Sequence, residues 1–226
     1  MRGRYEKGIA TYEQIMSKAK RMLKESGFKK LRITDICQSL DIKLGTFTYY
    51  FQTKTDLVSE IYGELLVKCF NVVRSNSMVP MDMFQIAVTS DYFFYSAILL
   101  REETAQYYFE VLENVWHWSY IAKQVSEYYS IYNNDYKLGL TQEEISDFLH
   151  IDSAIRHEFF VTMHKEHGLD LNLDLVISHV RKVHTYVYRA MGMDMDMIRV
   201  YDDYAESLLR KVGYSSLDLF EGAAED

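Results

Sequence analysis

A single proline in 226 residues, Pro80, constrains this chain more than any other feature. Only ten glycines accompany it, too few for the regular turns of a strand-rich fold, so long helices are the economical reading. Hydrophobic residues make up 48% of the chain, enough for a packed interior in one large domain or two smaller ones. The two cysteines, Cys37 and Cys69, are too few for a disulfide framework or a thiolate metal site. No run approaches the roughly 18 apolar residues of a membrane span, and a soluble, cytoplasmic protein with no membrane partner is expected.

The net charge of -8 argues by itself against a polyanionic partner. Its distribution reverses that reading. Residues 1–56 hold 12 Lys and Arg against 6 Asp and Glu, whereas the remainder holds 13 against 27. A polyanion is drawn to one end of such a chain and repelled by the other.

Periodicity places a first amphipathic helix over residues 11–26, with Thr11 and Gln14 forming a capping box at its start. Ile15, Met16, Ala19, Met22 and Leu23 form its apolar stripe, and Gly27 closes it in the left-handed region. Two short helices follow: residues 34–40 turn Ile36, Cys37 and Leu40 inward, and residues 44–50 turn in Phe47 with Tyr50 or Phe51. Asp41 sits at the reversal between them, a residue type that tolerates positive φ. A helix, a tight turn and a second short helix make a helix-turn-helix. A longer helix starts near Lys54 with Thr53 or Thr55 as its cap, and buries Leu57, Val58, Ile61, Leu65 and Val72. Further helices are predicted over 82–100, 103–136, 141–167, 172–191 and 194–212. Asn172 caps the fourth of these and Gly192 ends it; Asp194 or Asp196 caps the last and Gly213 ends it. The acidic tail from Glu221 is expected to fray. The predicted architecture is all-α, with a helix-turn-helix domain at 1–56 and a larger helical domain at 57–226.

Several spacings agree together with one family. Asp35-Ile36 opens the second helix, Gly45-Thr46 starts the third, Tyr50-Phe51 closes it, and Lys54-x-x-Leu57 starts the fourth, with Gly27-Phe28 upstream. Over residues 10–66 the chain resembles the tetracycline-repressor (TetR) family. The resemblance implies that Tyr50 and Lys54 hold DNA phosphates while Lys43, Leu44, Thr46, Thr48 and Tyr49 lie toward base edges; Thr34 joins this set. The physics agrees in outline. Phe47 and Phe51, four apart, pack on Ile36 and Leu40, and Gly45 lets the backbone approach a phosphate. Three positions depart from the family pattern: Asp41 replaces the usual turn glycine, Arg32 or Ile33 replaces a Ser/Thr, and Thr48 replaces an aromatic. Arg32 either contacts DNA or is a solvated basic residue. Arg2, Arg4 and Lys7 form either a basic arm on the DNA or a plain charged terminus.

The rest is dense in aromatics, which serve a core and a ligand pocket alike. The resemblance implies an effector pocket in the middle helices, with Tyr92, Tyr95, Tyr108, Trp116 and Phe160 as candidates. It also implies that the last two helices pair with a second copy, through Val176, Val180, Val183, Val187, Tyr201 and Leu208. His150, His157 and His164 recur every seven residues, a span of about 10 Å per step. Three of them cannot share one metal ion; His164 and His167 are the one compact pair, and solvated histidines are the simpler reading. No phosphate loop, nucleophile elbow or HExxH motif occurs, and no cofactor or metal is expected. The reading is therefore a non-enzymatic, homodimeric repressor that binds a pseudo-palindromic double-stranded operator and is released by an unidentified small molecule. An enzyme using the aromatic, histidine-bearing body and a helical partner-binding protein remain as alternatives.

Overall fold

In the computed structural model, residues 2–114 and 119–223 are described, with side chains described over 8–114 and 127–223. The described residues form ten α-helices and no strand: α1 (Arg2–Lys30), α2 (Ile33–Ser39), α3 (Leu44–Tyr50), α4 (Lys54–Asn76), α5 (Met83–Leu99), α6 (Glu102–Asn114), α7 (Ser119–Asp135), α8 (Gln142–His167), α9 (Leu173–Ala190) and α10 (Met195–Val212).

The first helix is longer than its sequence pattern predicts. Thr11 lies inside α1, so its capping box with Gln14 marks no helix start. Tertiary contacts supply what the local signal lacks. The Tyr50 hydroxyl donates to Gly8 O at 2.9 Å, the Tyr12 hydroxyl donates to Glu60 Oε1 at 2.8 Å, and Tyr12 stacks on Phe51 with centroids 5.6 Å apart. At the other end Gly27 takes φ 78°, ψ 175°. This is positive φ with an extended ψ, a region essentially restricted to glycine. The chain then makes one more helical turn, burying Phe28 and Leu31.

Within the helix expected over 103–136, the described residues form α6 and α7, and residues 115–118 between them lie outside the described residues. The two halves have different neighbours: α6 packs on α1, α5 and α8, whereas α7 packs on α4, α5 and α8. The other boundaries follow their caps. Thr53 and Asp56 form a complete capping box at α4, and Thr141 and Glu144 form another at α8. Asn172 accepts from Leu175 N at α9, and Gly213 ends α10 at φ 76°.

Helix α5 is the axle. Thirteen of its 17 residues are buried, as expected of a helix that is apolar all round. It packs against α4, α6, α7, α9 and α10. No single helix among the described residues is long and apolar enough to cross a membrane. Beyond α10 the chain folds back instead of fraying at Glu221. Leu217, Leu219 and Phe220 are buried, Lys20 donates to Glu221 O at 2.8 Å, and Lys68 pairs with the Glu221 carboxylate.

Candidate functional site

The helix-turn-helix forms where the sequence places it. Asp41 adopts φ 51°, and the turn closes with Ile42 N donating to Cys37 O at 3.0 Å. Phe47 and Phe51 are buried with centroids 5.7 Å apart, in one core with Ile36. That anchoring turns the opposite face of α3 outward. Tyr49 is 82% exposed and Leu44 55%, with Lys43, Gly45 and Thr48 also exposed and Thr46 half-buried. A side chain at Gly45 would meet nothing within 4 Å. Arg32 and Thr34, at the start of α2, are exposed as well. The side chains of Arg2, Arg4 and Lys7 lie outside the described residues.

Two residues assigned to phosphates also have partners within the chain. Tyr50 is half-buried on Gly8. Lys54 Nζ donates to Phe28 O at 3.0 Å and Leu31 O at 3.3 Å, and sits 3.9 Å from the centroid of the Phe28 ring. Burial lowers its pKa against the pull of Glu110. Glu110, which the sequence reading did not single out, grips the other end of the same turn. Its carboxylate accepts from Phe28 N at 2.7 Å and Lys29 N at 3.0 Å. A Cβ at position 27 would stand 2.5 Å from Glu110 Oε2, so glycine is required there by both backbone and space. The turn at residues 28–31 is thus held at the Phe28 and Lys29 N–H groups by α6 and at the Phe28 and Leu31 carbonyls by α4.

A cavity of about 70 Å³ opens among α4, α5, α7, α8 and α9. Its walls include the aromatic rings of Phe70, Phe94, Tyr95, Tyr128, Tyr132 and Tyr188, together with Asp91, Asp152 and Arg156. Of the effector candidates, Tyr95 lines it. Phe160 lies behind, stacked on Tyr95 at 4.2 Å, and Tyr108 is buried edge-on to Phe160. Tyr92 points away and donates to Asp202 Oδ1 at 2.9 Å. Trp116 lies outside the described residues.

The polar wall continues inward as a buried network. Arg156 donates from Nε to Asp152 at 2.6 Å and from Nη1 to Asp91 at 2.7 Å. His184, with no solvent exposure, has Nε2 3.1 Å from Asp91 Oδ2 and Nδ1 2.7 Å from Asp202 Oδ1. A ring facing a carboxylate at each nitrogen donates from both only as the imidazolium. Burial lowers its pKa, but Asp202 and Asp91 outweigh burial and bring it up to about 8. Burial likewise raises the Asp91 pKa, and Arg156 with His184 brings it below the usual carboxylate range.

The other histidines are placed differently from the solvated row expected. His150 is exposed, but His157 Nε2 lies 3.2 Å from Leu112 O, and His164 stacks on Phe109 at 4.0 Å with Nδ1 3.0 Å from Gly168 O. Two of the three therefore face α6. The candidates for pairing with a second copy are largely interior. Val176, Val180, Val183, Val187 and Leu208 are buried within this chain, and Tyr201 is half-buried with its hydroxyl 3.3 Å from that of Tyr136. The apolar groups these two helices leave outside are Tyr186 and Val200.

Residues 15–61 match the family model of bacterial regulatory proteins, tetR family. No curated protein and no solved structure matched the chain.

Proposed function

We propose that the chain, whose residues 15–61 match the tetR family model, is a DNA-binding transcription regulator of that family, a homodimeric repressor whose hold on a pseudo-palindromic operator is released by a small molecule in the cavity beside Arg156. The observation that carries the reading is the outward face of α3. A seven-residue helix leaves Leu44 and Tyr49 in solvent next to Lys43 and Thr48, with nothing among the described residues covering them. Large exposed side chains beside a basic residue suit a major groove, which presents base edges and thymine methyl groups. One such helix reads too few base pairs, and a two-fold pair reads half-sites about one helical turn apart, near 34–36 Å. The second copy would meet the α9–α10 pair from outside, over Tyr186 and Val200.

Release follows from α4. This helix supplies Leu66 and Phe70 to the cavity and Lys54 to the 28–31 turn. Its 23 residues span about 35 Å. A ligand that parts α4 from α5 moves the head relative to the body and spoils the spacing of two heads on DNA.

Selection of bound fragments from a random DNA pool tests the reading. The expected result is a pseudo-palindrome enriched by the wild type and lost by Lys43→Ala with Tyr49→Ala, with affinity falling steeply with salt. Absence of enrichment at moderate salt, or enrichment indifferent to that pair of substitutions, would overturn it.

A further inference from the structure

The charge of the cavity narrows what it can hold. Among the described residues its wall carries two carboxylates, Asp91 and Asp152, and one guanidinium, Arg156, a net of one negative charge. The groups behind do not cancel the excess, because protonated His184 is balanced by Asp202. Arg156 is already engaged by both carboxylates, which leaves only its Nη2 without a partner among the described residues. Its Nε and Nη1 are taken by the two carboxylates, and an incoming anion would lie beside both. The carboxylates themselves are half-used. Both hydrogen bonds to Asp91 converge on Oδ2, and Arg156 meets Asp152 on Oδ1, so Asp91 Oδ1 and Asp152 Oδ2 accept none among the described residues. Asp152 is only 7% exposed, and an unfilled carboxylate oxygen at such depth calls for a donor.

Two further features point the same way. Seven of the fourteen lining residues are aromatic, and the faces of such rings attract cations. A surface groove shares Leu66, Phe70 and Tyr128 with the cavity and continues outward past Glu60, Glu64 and Glu127 against one Lys68. An acidic approach to an aromatic cavity concentrates cations at its mouth.

We propose that the effector is a small organic cation: an amine whose ammonium sits between Asp91 and Asp152, with its apolar or aromatic body against the tyrosine rings. The cavity, about 70 Å³, is roughly half the ~150 Å³ of an engineered cavity that admits benzene. A ligand with a ring therefore extends into the acidic groove or opens the wall. The proposal rests on the effector-released repressor reading for its biological meaning, but the site itself is testable apart from it.

The test uses the full chain and three eight-carbon probes: phenethylamine as cation, 2-phenylethanol as neutral, and phenylacetate as anion. Calorimetric titration is expected to rank the cation at least about ten-fold above both others. Asp152→Asn, with helicity checked by circular dichroism, is expected to bring the three within about three-fold of one another. Equal binding of all three, preference for the anion or the neutral probe, or no binding of any would overturn the proposal, and this ranking in the wild type needs no variant. Operator affinity measured with each probe separates the two readings. A neutral or anionic probe that binds and releases DNA sinks the cation site and keeps the repressor; a cation that binds in the cavity without altering DNA affinity does the reverse.

Discussion

The reading head and the body solve the same packing problem with opposite chemistry. The head joins α1, α2 and α3 through Ile15, Ala19, Ile36, Phe47 and Phe51, with no charged group among them. The body, around α5, buries Asp202 and His184 almost completely and Asp152 and Arg156 nearly so. An apolar core is the cheaper way to hold helices together. A buried ion network often adds no more stability than well-packed hydrophobic residues of the same volume, yet it is costly to break. The body thus keeps charges that its fold does not need, beside a cavity where they can meet a ligand.

Breaking one partner should expose that difference most strongly. Arg156→Ala leaves Asp91 and Asp152 buried without their shared cation, and unfolding in urea is expected to show a loss of about 3–5 kcal/mol. Phe47→Ala in the head should cost a similar 3–5 kcal/mol by leaving a cavity, but replacing Arg156 by methionine together with Asp152 by leucine, which leaves Asp91 paired with His184, should recover stability in the body. No such compensation by charge removal is available in the head. A smaller effect is expected at the junction. Gly27→Ala forces a side chain into a glycine-only conformation, about 1–3 kcal/mol, and pushes Glu110 off Phe28 N and Lys29 N; the fall in DNA affinity should exceed what the loss of folded protein explains.

His184 makes the comparison pH-dependent. Its folded pKa of about 8 lies above the ordinary histidine value of 6.5, so its stabilising contribution is complete below pH 6.5 and is lost as the pH rises through 8. That shift corresponds to about 2 kcal/mol. The wild type should lose that much more stability than His184→Gln between pH 6 and pH 9, and parallel profiles of the two proteins would refute the assignment. The smallest expected effects are at the two capping boxes. Thr53→Ala and Thr141→Ala should each cost about 1 kcal/mol, but only the first should weaken DNA binding.

The head was legible because its determinants are local. The Phe47–Phe51 spacing, the turn at Asp41 and the capping box at Thr53 all lie within about twenty residues of one another, and of the residues expected to face outward Lys43, Thr48 and Tyr49 are exposed and Thr46 is half-buried. The length of α1 was not legible, because Gly8 and Tyr12 are held by Tyr50 and Glu60 from other helices. The body was legible as helices but not as a site. Asp91 and Asp202 are 111 positions apart, and no spacing rule joins them. A weaker signal was present: Asp152, His184 and Asp202 each fall on the apolar stripe of an amphipathic helix, where a charged residue must find a buried partner. The aromatics misdirected the search, since Tyr92, Tyr108 and Phe160 have the composition of a pocket and the position of a core.

The double grip on residues 28–31 has a consequence for how this regulator changes targets. Glu110 and Lys54 hold main-chain N–H and carbonyl groups, not side chains. Under the proposed release mechanism the command to let go would be delivered to the backbone, in a form that does not depend on which letters α3 reads. A reading helix rewritten at Lys43, Thr46, Thr48 and Tyr49 would acquire a new address on the genome and inherit the old switch unaltered, provided Gly27 and its carboxylate partner stay in place.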